Sequence, residues 1–122
     1  QNLLITSVKL KGKVSSKELI QKKQQFLIGK KKKSQPNQIK TCGSTFKNTE
    51  NKKAWELIKE SNCQNYQIGS AKISKKHFNF FVNEGKATTR ELEGLINKVK
   101  KTVYQKTKIN LELEIKIIGH NS

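Results

Sequence analysis

A serine directly after a glycine, with a lysine and an asparagine close behind, has the clearest chemical potential in this sequence. Residues 40–48 read KTCGSTFKN and contain Ser44, Lys47 and Asn48. A serine hydroxyl can donate a proton where a neighbouring group stabilises what remains. Gly43 lets the backbone come close to a ligand, while lysine and asparagine side chains can donate to phosphate oxygens. Taken alone, the stretch is more typical of an ordinary exposed Gly-Ser turn.

Other familiar catalytic patterns are missing from the sequence. There is no P-loop, no dinucleotide-binding fingerprint and no cluster of metal ligands. Ser44 does not lie in a G-x-S-x-G elbow, and the only histidines are His77 and His120, so a Ser-His-Asp triad has little support. Cys42 and Cys63 have no metal-like spacing. With no signal peptide at the start of the sequence, we expect two free thiols and a cytoplasmic location.

The composition is that of one small, strongly basic domain. The 122 residues carry a formal net charge of +17, and Arg90 is the only arginine among the 26 basic residues. A charge of this size leaves open a basic nucleic-acid-binding domain. The scarcity of arginine, which is the usual reader of bases, argues against that class. We expect a solvated lysine surface, with residues 30–33 as the best candidate for an anion site, and neither nucleic acid nor membrane as a partner.

Hydrophobic spacing before the serine motif predicts one strand and one helix. Residues 3–10 have the character of a strand. A helix should begin at a capping box of Ser15 and Glu18 and end near Gly29 or within the lysines that follow. Residues 34–49 are expected to form a loop. The inner face of the helix should hold four apolar side chains: Leu19, Ile20, Phe26 and Leu27.

After the serine motif, short elements are expected. Residues 54–58 suit a short amphipathic helix. A turn over 83–85 should close the last of three short strands. These strands are predicted over residues 66–68, 71–73 and 78–82.

The end of the chain holds the clearest helix and a last strand. Thr88 and Glu91 form a capping box at the start of that helix. Its apolar stripe consists of Leu92, Leu95, Ile96, Val99 and Val103. Strict alternation over 109–117 predicts a strand with Glu112 and Glu114 on its polar face. Together these elements predict the α+β class, with a small antiparallel or mixed sheet and about three helices.

Four stretches, in the same order and with fitting spacing, resemble the C-terminal part of the UDP-N-acetylenolpyruvoylglucosamine reductase family (MurB). The resemblance is closest to its alphaproteobacterial branch. The run TCGSTFKNTENKKAWELI is similar to the family's G-S-x-F-K-N-P loop and following helix. The other three are KKKKSQP, the segment IGSAKISKKHFNFFVNEGKATTRELEGLI, and LELEIKIIG at the end.

This resemblance implies a function and a set of site residues. The family uses FAD and NADPH to reduce UDP-N-acetylglucosamine-enolpyruvate to UDP-N-acetylmuramate, a step of peptidoglycan synthesis that serves cell-wall biogenesis, cell shape and cell division. By resemblance, Ser44 is the proton donor and Glu114 stabilises the reaction intermediate. Substrate-contacting roles fall on Asn48, Lys47, His77 and Lys31, the last standing where an arginine is usual.

The resemblance also implies a division of the chain. Residues 1–13 are similar to the last strand and linker of a flavin-binding portion, and residues 14–122 to the C-terminal, substrate-binding domain. The flavin-binding portion, with its catalytic arginine, would be the missing partner. We therefore expect this chain alone to hold no FAD and to have no reductase activity. A stand-alone nucleotide-sugar-binding remnant, with no partner domain, is the remaining alternative.

Overall fold

In its described residues, the chain forms three helices and one four-stranded antiparallel sheet. The computed structural model of the chain describes residues 6–36 and 39–119. In chain order the elements are α1 (Lys17–Ser34), β1 (Lys40–Ser44), α2 (Ala54–Glu60), β2 (Gln67–Ile68), β3 (Ala71–Ile73), β4 (Phe80–Asn83) and α3 (Thr89–Thr107). The α+β class predicted from the sequence is therefore confirmed, as are α2, α3 and the three short strands that precede α3.

The sheet has the strand order β1-β4-β3-β2, and all neighbouring strands are antiparallel. Val82 of β4 lies between Thr41 of β1 and Lys72 of β3, and Ser44 pairs with Phe80. The prediction of a loop over 34–49 was wrong for β1. Its glycine and polar residues are turn signals, but the partner strand β4 supplies hydrogen bonds that local composition cannot reveal.

Helix α3 forms for local reasons and buries its apolar stripe. Thr88 and Glu91 make the predicted capping box, in which the Thr88 hydroxyl accepts from the Glu91 N–H and the Glu91 carboxylate accepts from the Thr88 N–H. Four residues of the stripe are buried: Leu95, Ile96, Val99 and Val103. They pack against α2, β2 and β3, which fixes the helical layer on one face of the sheet.

Helix α1 differs from the prediction in its start, its end and its burial. The N-cap is Ser16, not Ser15, and its hydroxyl accepts from the Leu19 N–H at 3.3 Å. The helix runs past Gly29 to Ser34, because lysines in the last turn complement the negative end of the helix dipole. No residue of α1 is buried, and Phe26 is 69% exposed. Spacing predicts that a helix is amphipathic, but burial also needs a partner surface.

The strand predicted over residues 3–10 does not form in its described part. Residues 6–16 have no regular secondary structure and are exposed, and residues 3–5 lie outside the described part of the chain. A strand needs a partner for its backbone groups, so alternation alone does not create one.

The closing segment, residues 109–119, keeps the predicted alternation without forming a regular strand. Its one β-bridge joins Leu113 to Phe46, and flanking hydrogen bonds connect Glu112 to Lys47 and Glu114 to Thr45. Leu111 is buried, while three further apolar residues, Ile109, Leu113 and Ile115, pack against the core. Ile117 was expected on the inner face but is exposed.

The core lies between the sheet and the helices α2 and α3. Phe46 and Phe81 meet there edge to face, with ring centroids 5.8 Å apart. Phe46 is completely buried and follows Ser44 by only two residues. Burying a large aromatic side chain is worth several kcal/mol, on the order of the 3–5 lost on its truncation, so the core fixes the chain beside the serine.

Candidate functional site

Ser44 lies at the end of β1, where the strand is irregular. The β1–β4 register shifts between Thr41 and Ser44, and Gly43 between them has φ 85°. That backbone conformation favours glycine strongly, which explains the glycine before the serine. Ser44 is half-buried, and within the described residues its hydroxyl makes no hydrogen bond. Its Oγ–H is therefore available to a ligand.

The register of the sheet gives the face to which the Ser44 side chain belongs. Ser44 pairs with Phe80, and Phe80 lies two residues before Val82 on β4. Residues two apart on a strand, and residues paired across strands, share a face. Ser44 thus lies on the sheet face of Val82, opposite to the face of Phe81 that meets the helices.

A basic pocket occupies that same face. Its volume is about 330 Å³, and Val82 forms part of its wall. The charged residues that line it are Lys72, Lys75, Lys76 and Glu84. Pro36 and Ile39, from the chain before β1, also line it. Lys72 and Glu84 form an ion pair of 2.5 Å, so the lysines outnumber the one carboxylate. The pocket is suited to a negatively charged group.

The structure brings the backbone of Ser44 close to that of Glu114. The Thr45 carbonyl, one residue after Ser44, accepts a hydrogen bond of 2.9 Å from the Glu114 N–H. The Glu114 side chain is exposed, and within the described residues its carboxylate forms no ion pair. Two predicted catalytic residues that are 70 positions apart in the sequence therefore lie on adjoining backbone segments.

Glu112 differs from Glu114 in its surroundings. Its carboxylate lies 3.2 Å from the Lys47 ammonium, and the two side chains are 75% and 59% exposed. Such an exposed pair contributes about 0–1 kcal/mol. Glu112 is thus a solvent-exposed carboxylate with Lys47 as a weak partner. A ligand that recruited Lys47 would have to compete only with this weak pair.

Asn48 has a structural contact that the sequence did not reveal. Its Oδ1 accepts a hydrogen bond of 3.0 Å from the Ala54 N–H, at the start of α2. This satisfies one of the backbone donors that a helix leaves open at its N-terminus. With Oδ1 engaged as an acceptor, the Nδ2 group of Asn48 is the part that can bind a ligand, as a donor.

His77 is half-buried beside the serine strand. Its Nδ1 accepts a hydrogen bond of 3.3 Å from the Asn79 N–H, and its ring meets Phe80 edge to face at 4.8 Å. Burial lowers the pKa of His77 below its ordinary value. The ring is accordingly neutral near pH 7, with a proton on Nε2 that can be donated to a ligand.

Lys31 is not joined to this group of residues. It lies exposed in the last turn of α1, where its carbonyl accepts from the Gln35 N–H at 2.9 Å. Its side chain makes no hydrogen bond or ion pair within the described ranges, 6–36 and 39–119. The chain connecting it to β1 passes Pro36, which lines the basic pocket.

Asn79 is the residue of this region that sequence reasoning missed. It is 3% exposed, and its side chain bonds twice to the backbone of Phe46: the Phe46 N–H donates to Oδ1 at 2.9 Å and Nδ2 donates to the Phe46 carbonyl at 2.8 Å. The available signal was one amide in the apolar run FNFFV. Such a residue, when buried, needs hydrogen-bond partners.

The two cysteines are free thiols and differ in burial. Cys42 is exposed, next to Gly43. Cys63 is completely buried, and this burial raises the pKa of its thiol. Among the described residues there is no group of three or more metal-ligating side chains. None of their helices is long and apolar enough to cross a membrane.

The fold and the site define a two-layer α+β domain. Helices cover one face of its antiparallel sheet, and the other face carries an unpaired serine and a basic pocket. The sequence profile described as "UDP-N-acetylenolpyruvoylglucosamine reductase, C-terminal domain" matches residues 35–118. The chain belongs to this family by its C-terminal domain.

Relatives and a solved structure agree with this assignment. A reductase of that name from Wolbachia sp. subsp. Drosophila simulans (strain wRi) is 46% identical over 118 residues, which cover 97% of this chain and 40% of the relative. One from Pelagibacter ubique is 45% identical over 121 residues, covering 97% and 40%. These names confirm the alphaproteobacterial resemblance.

A crystal structure of UDP-N-acetylenolpyruvylglucosamine reductase (MurB) from Thermus caldophilus has a similar fold. It superposes with a TM-score of 0.70 at 32% identity, over 85% of this chain and 36% of that one. The chain thus spans about two fifths of the length of the curated relatives it matches.

Proposed function

We propose that this chain acts as the C-terminal, substrate-binding part of a cytoplasmic, FAD-dependent reductase of peptidoglycan synthesis. The enzyme would use NADPH to convert UDP-N-acetylglucosamine-enolpyruvate to UDP-N-acetylmuramate. The observation that carries the proposal is the hydrogen bond between the Thr45 carbonyl and the Glu114 N–H. It joins the two sequence blocks to which the family resemblance assigns the reaction.

In this proposal Ser44 delivers a proton to the substrate. A bound flavin would be the source of the hydride that the enolpyruvyl double bond takes up, and the substrate would then be an enol-like carboxylate. The Ser44 Oγ–H bond then breaks as a C–H bond forms at the neighbouring carbon, and solvent returns a proton to Oγ. The irregular end of β1 supports the role, because a proton donor must be held at a defined position. The exposed, unpaired carboxyl group of Glu114 lies on the adjoining segment and would stabilise the intermediate.

The diphosphate and sugar of the substrate would bind on the open face of the sheet. Lys75 and Lys76 border the basic pocket on that face. His77, the next residue, would donate from Nε2, and Asn48 from Nδ2. Lys47 and Lys31 would contribute positive charge. The match between a basic pocket and a diphosphate supports this assignment.

The FAD and NADPH sites would lie outside this chain. The apolar pocket on the other face of the sheet has a volume of about 440 Å³, and Lys40 is the only charged residue among those that line it. This offers little to hold a flavin diphosphate. We therefore assign the flavin to the part of the longer relatives that this chain does not span. The chain alone should purify without flavin absorbance and without reductase activity.

A chimera tests this function directly. This chain would replace the matching 118-residue segment of the Wolbachia relative, to which it is 46% identical. The expected result is conversion of the enolpyruvyl substrate to UDP-N-acetylmuramate with oxidation of NADPH. The unaltered relative serves as the control. A folded, flavin-containing chimera that reduces its flavin but forms no product would overturn the proposal.

A further inference from the structure

The side chain of Asn79 forms hydrogen bonds to the backbone that follows Ser44. Beyond the Ser44–Phe80 pair, the chain continues as Thr45 and Phe46, and no β4 residue pairs with Phe46 there. The Asn79 side chain takes that place, since its amide both accepts from the Phe46 N–H and donates to the Phe46 carbonyl. A neighbouring strand residue exchanges the same two bonds in an antiparallel sheet.

The main chain of Asn79 extends this contact on both sides. Its carbonyl accepts from the Thr45 N–H at 2.8 Å, and its N–H donates to Nδ1 of His77 at 3.3 Å. The other edge of the same segment bonds to the closing segment through Glu114. Asn79 thus connects the segment after Ser44 to His77, a residue proposed to bind the substrate.

Only a side chain with one donor and one acceptor at this distance can make both bonds to Phe46. An ionised aspartate has the same length but only accepts, so it would face the Phe46 carbonyl with a negative charge. Leucine has a similar volume and neither function. The orientation of the amide follows from its partners, because the N–H must meet Oδ1 and the carbonyl must meet Nδ2.

We infer that Asn79 is the positioning residue for the proposed proton donor. By fixing Thr45 and Phe46 against β4, it fixes the adjacent Ser44 at the irregular end of β1. This inference rests on the proposed role of Ser44. Loss of the amide should displace the hydroxyl without removing it, and a displacement of about 1 Å can slow a reaction about 10²-fold.

The first experiment uses the chain itself and needs no activity. Amide hydrogen exchange of Phe46 and Thr45 would be measured by NMR in the parent chain and in Asn79→Leu. We expect faster exchange at Phe46 and Thr45, with unchanged protection at Val99 in α3. Equal protection of Phe46 in the two proteins would overturn the inference whatever the enzyme does. If Asn79→Leu does not fold, Asn79→Asp in acid and in base takes its place.

The second experiment measures the two half-reactions in the chimera with Asn79→Asp. Burial raises the pKa of a carboxyl group, and the protonated acid can again donate to the Phe46 carbonyl. Substrate reduction, relative to the parent, should therefore be slowed about 10²-fold near pH 8 and recover markedly near pH 5.5. Flavin reduction by NADPH should stay within about twofold of the parent at both values.

The parent is the reference at each pH because other groups near Asn79 also titrate or carry charge. These are His77, Glu114, and the Lys47–Glu112 pair on the adjoining segments. Asn83→Asp is the matched control. Asn83 is the last residue of β4, whereas Asn79 lies just before the first. The Asn83 amide also bonds backbone groups, at Gly85 and Ala87, away from Ser44.

The outcomes separate the inference from the proposed function. An inactive parent chimera would count against the proposed function, while the exchange data would still decide the hydrogen-bonding role. An active parent with an equally active Asn79→Asp at pH 8 would overturn the inference. So would a pH profile of Asn79→Asp that ran parallel to that of the parent, or an Asn83→Asp control with the same acid recovery.

Discussion

At the residue scale, backbone contacts rather than charged neighbours define the surroundings of Ser44. Gly43 turns the chain before it, Asn79 holds the chain after it, and Glu114 bonds to the following carbonyl. The sequence could single out Ser44 and Glu114 as candidates, because each lies in a motif with a fixed local spacing, and their catalytic roles stay predictions. Asn79 could not, since its partner Phe46 lies 33 residues away and only the tertiary structure joins them.

Replacing the serine should separate the two half-reactions. In the chimera, Ser44→Ala should leave flavin reduction by NADPH nearly intact, because that step precedes any task of the serine. Substrate reduction should slow by about 10²–10⁴-fold, as expected for loss of a positioned proton donor. Stopped-flow absorbance measures both steps. Ser34→Ala, at the end of α1, is the matched control, and equal slowing of flavin reduction by Ser44→Ala would contradict the assignment.

His77 should make the stability of the chain depend on pH. Burial lowers its pKa in the folded state, so the unfolded chain binds more protons between that pKa and the ordinary value of about 6.5. The free energy of unfolding should therefore fall as the pH drops below about 6.5. Urea titrations at several pH values would measure this. In His77→Gln the dependence in this window should flatten, and an unchanged slope would refute the explanation.

At the element scale, the helices show what a local pattern can and cannot predict. The capping box and apolar stripe of α3 lie within one stretch of sequence, and both the helix and its burial were predicted correctly. The spacing of α1 predicted a helix, but its apolar side chains are exposed in the structure. Strand β1 was missed for the converse reason, since its partner β4 begins 40 residues after β1 does.

This contrast predicts very different costs for two leucine substitutions. Leu95 of α3 is completely buried, whereas Leu27 of α1 is 53% exposed. Leu95→Ala should lower the free energy of unfolding by about 2–5 kcal/mol through lost burial and a cavity. Leu27→Ala should change it by about 0.5 kcal/mol or less. Urea unfolding of the isolated chain measures both, and similar losses would show that α1 is packed in solution.

At the scale of the whole molecule, the net charge of +17 acts on any anion near the surface. General attraction by lysines does not require a site, and it weakens as salt shortens the range of charge interactions. The basic pocket differs because three lysines border one depression on the face of Ser44. The net charge could be predicted from the composition alone. That the pocket and Ser44 lie on one face of the sheet follows only from the strand register.

The isolated chain should bind UDP-N-acetylglucosamine weakly but at a defined place. In this proposal the isolated chain would provide only half of the cleft. Association costs roughly 4–15 kcal/mol, and a less preorganised site leaves less binding energy after that cost. NMR titration should shift the amide signals of Asn48, His77 and Lys76. Inorganic phosphate at equal concentration is the control. Shifts confined to residues 30–33, or equal shifts with phosphate, would indicate nonspecific attraction of anions.

The strand order has a consequence for the way in which this chain folds. Among the described strands, β1 pairs only with β4, so it cannot join the sheet before β4 is in place. The hydrogen bond from Glu114 to Thr45 closes a loop of about 70 residues. Closing such a loop costs chain entropy before any contact rewards it. Helix α3 needs no such closure to begin. During refolding, the neighbourhood of Ser44 should therefore become protected from hydrogen exchange after α3 does, and the proposed catalytic geometry would be among the last features to appear.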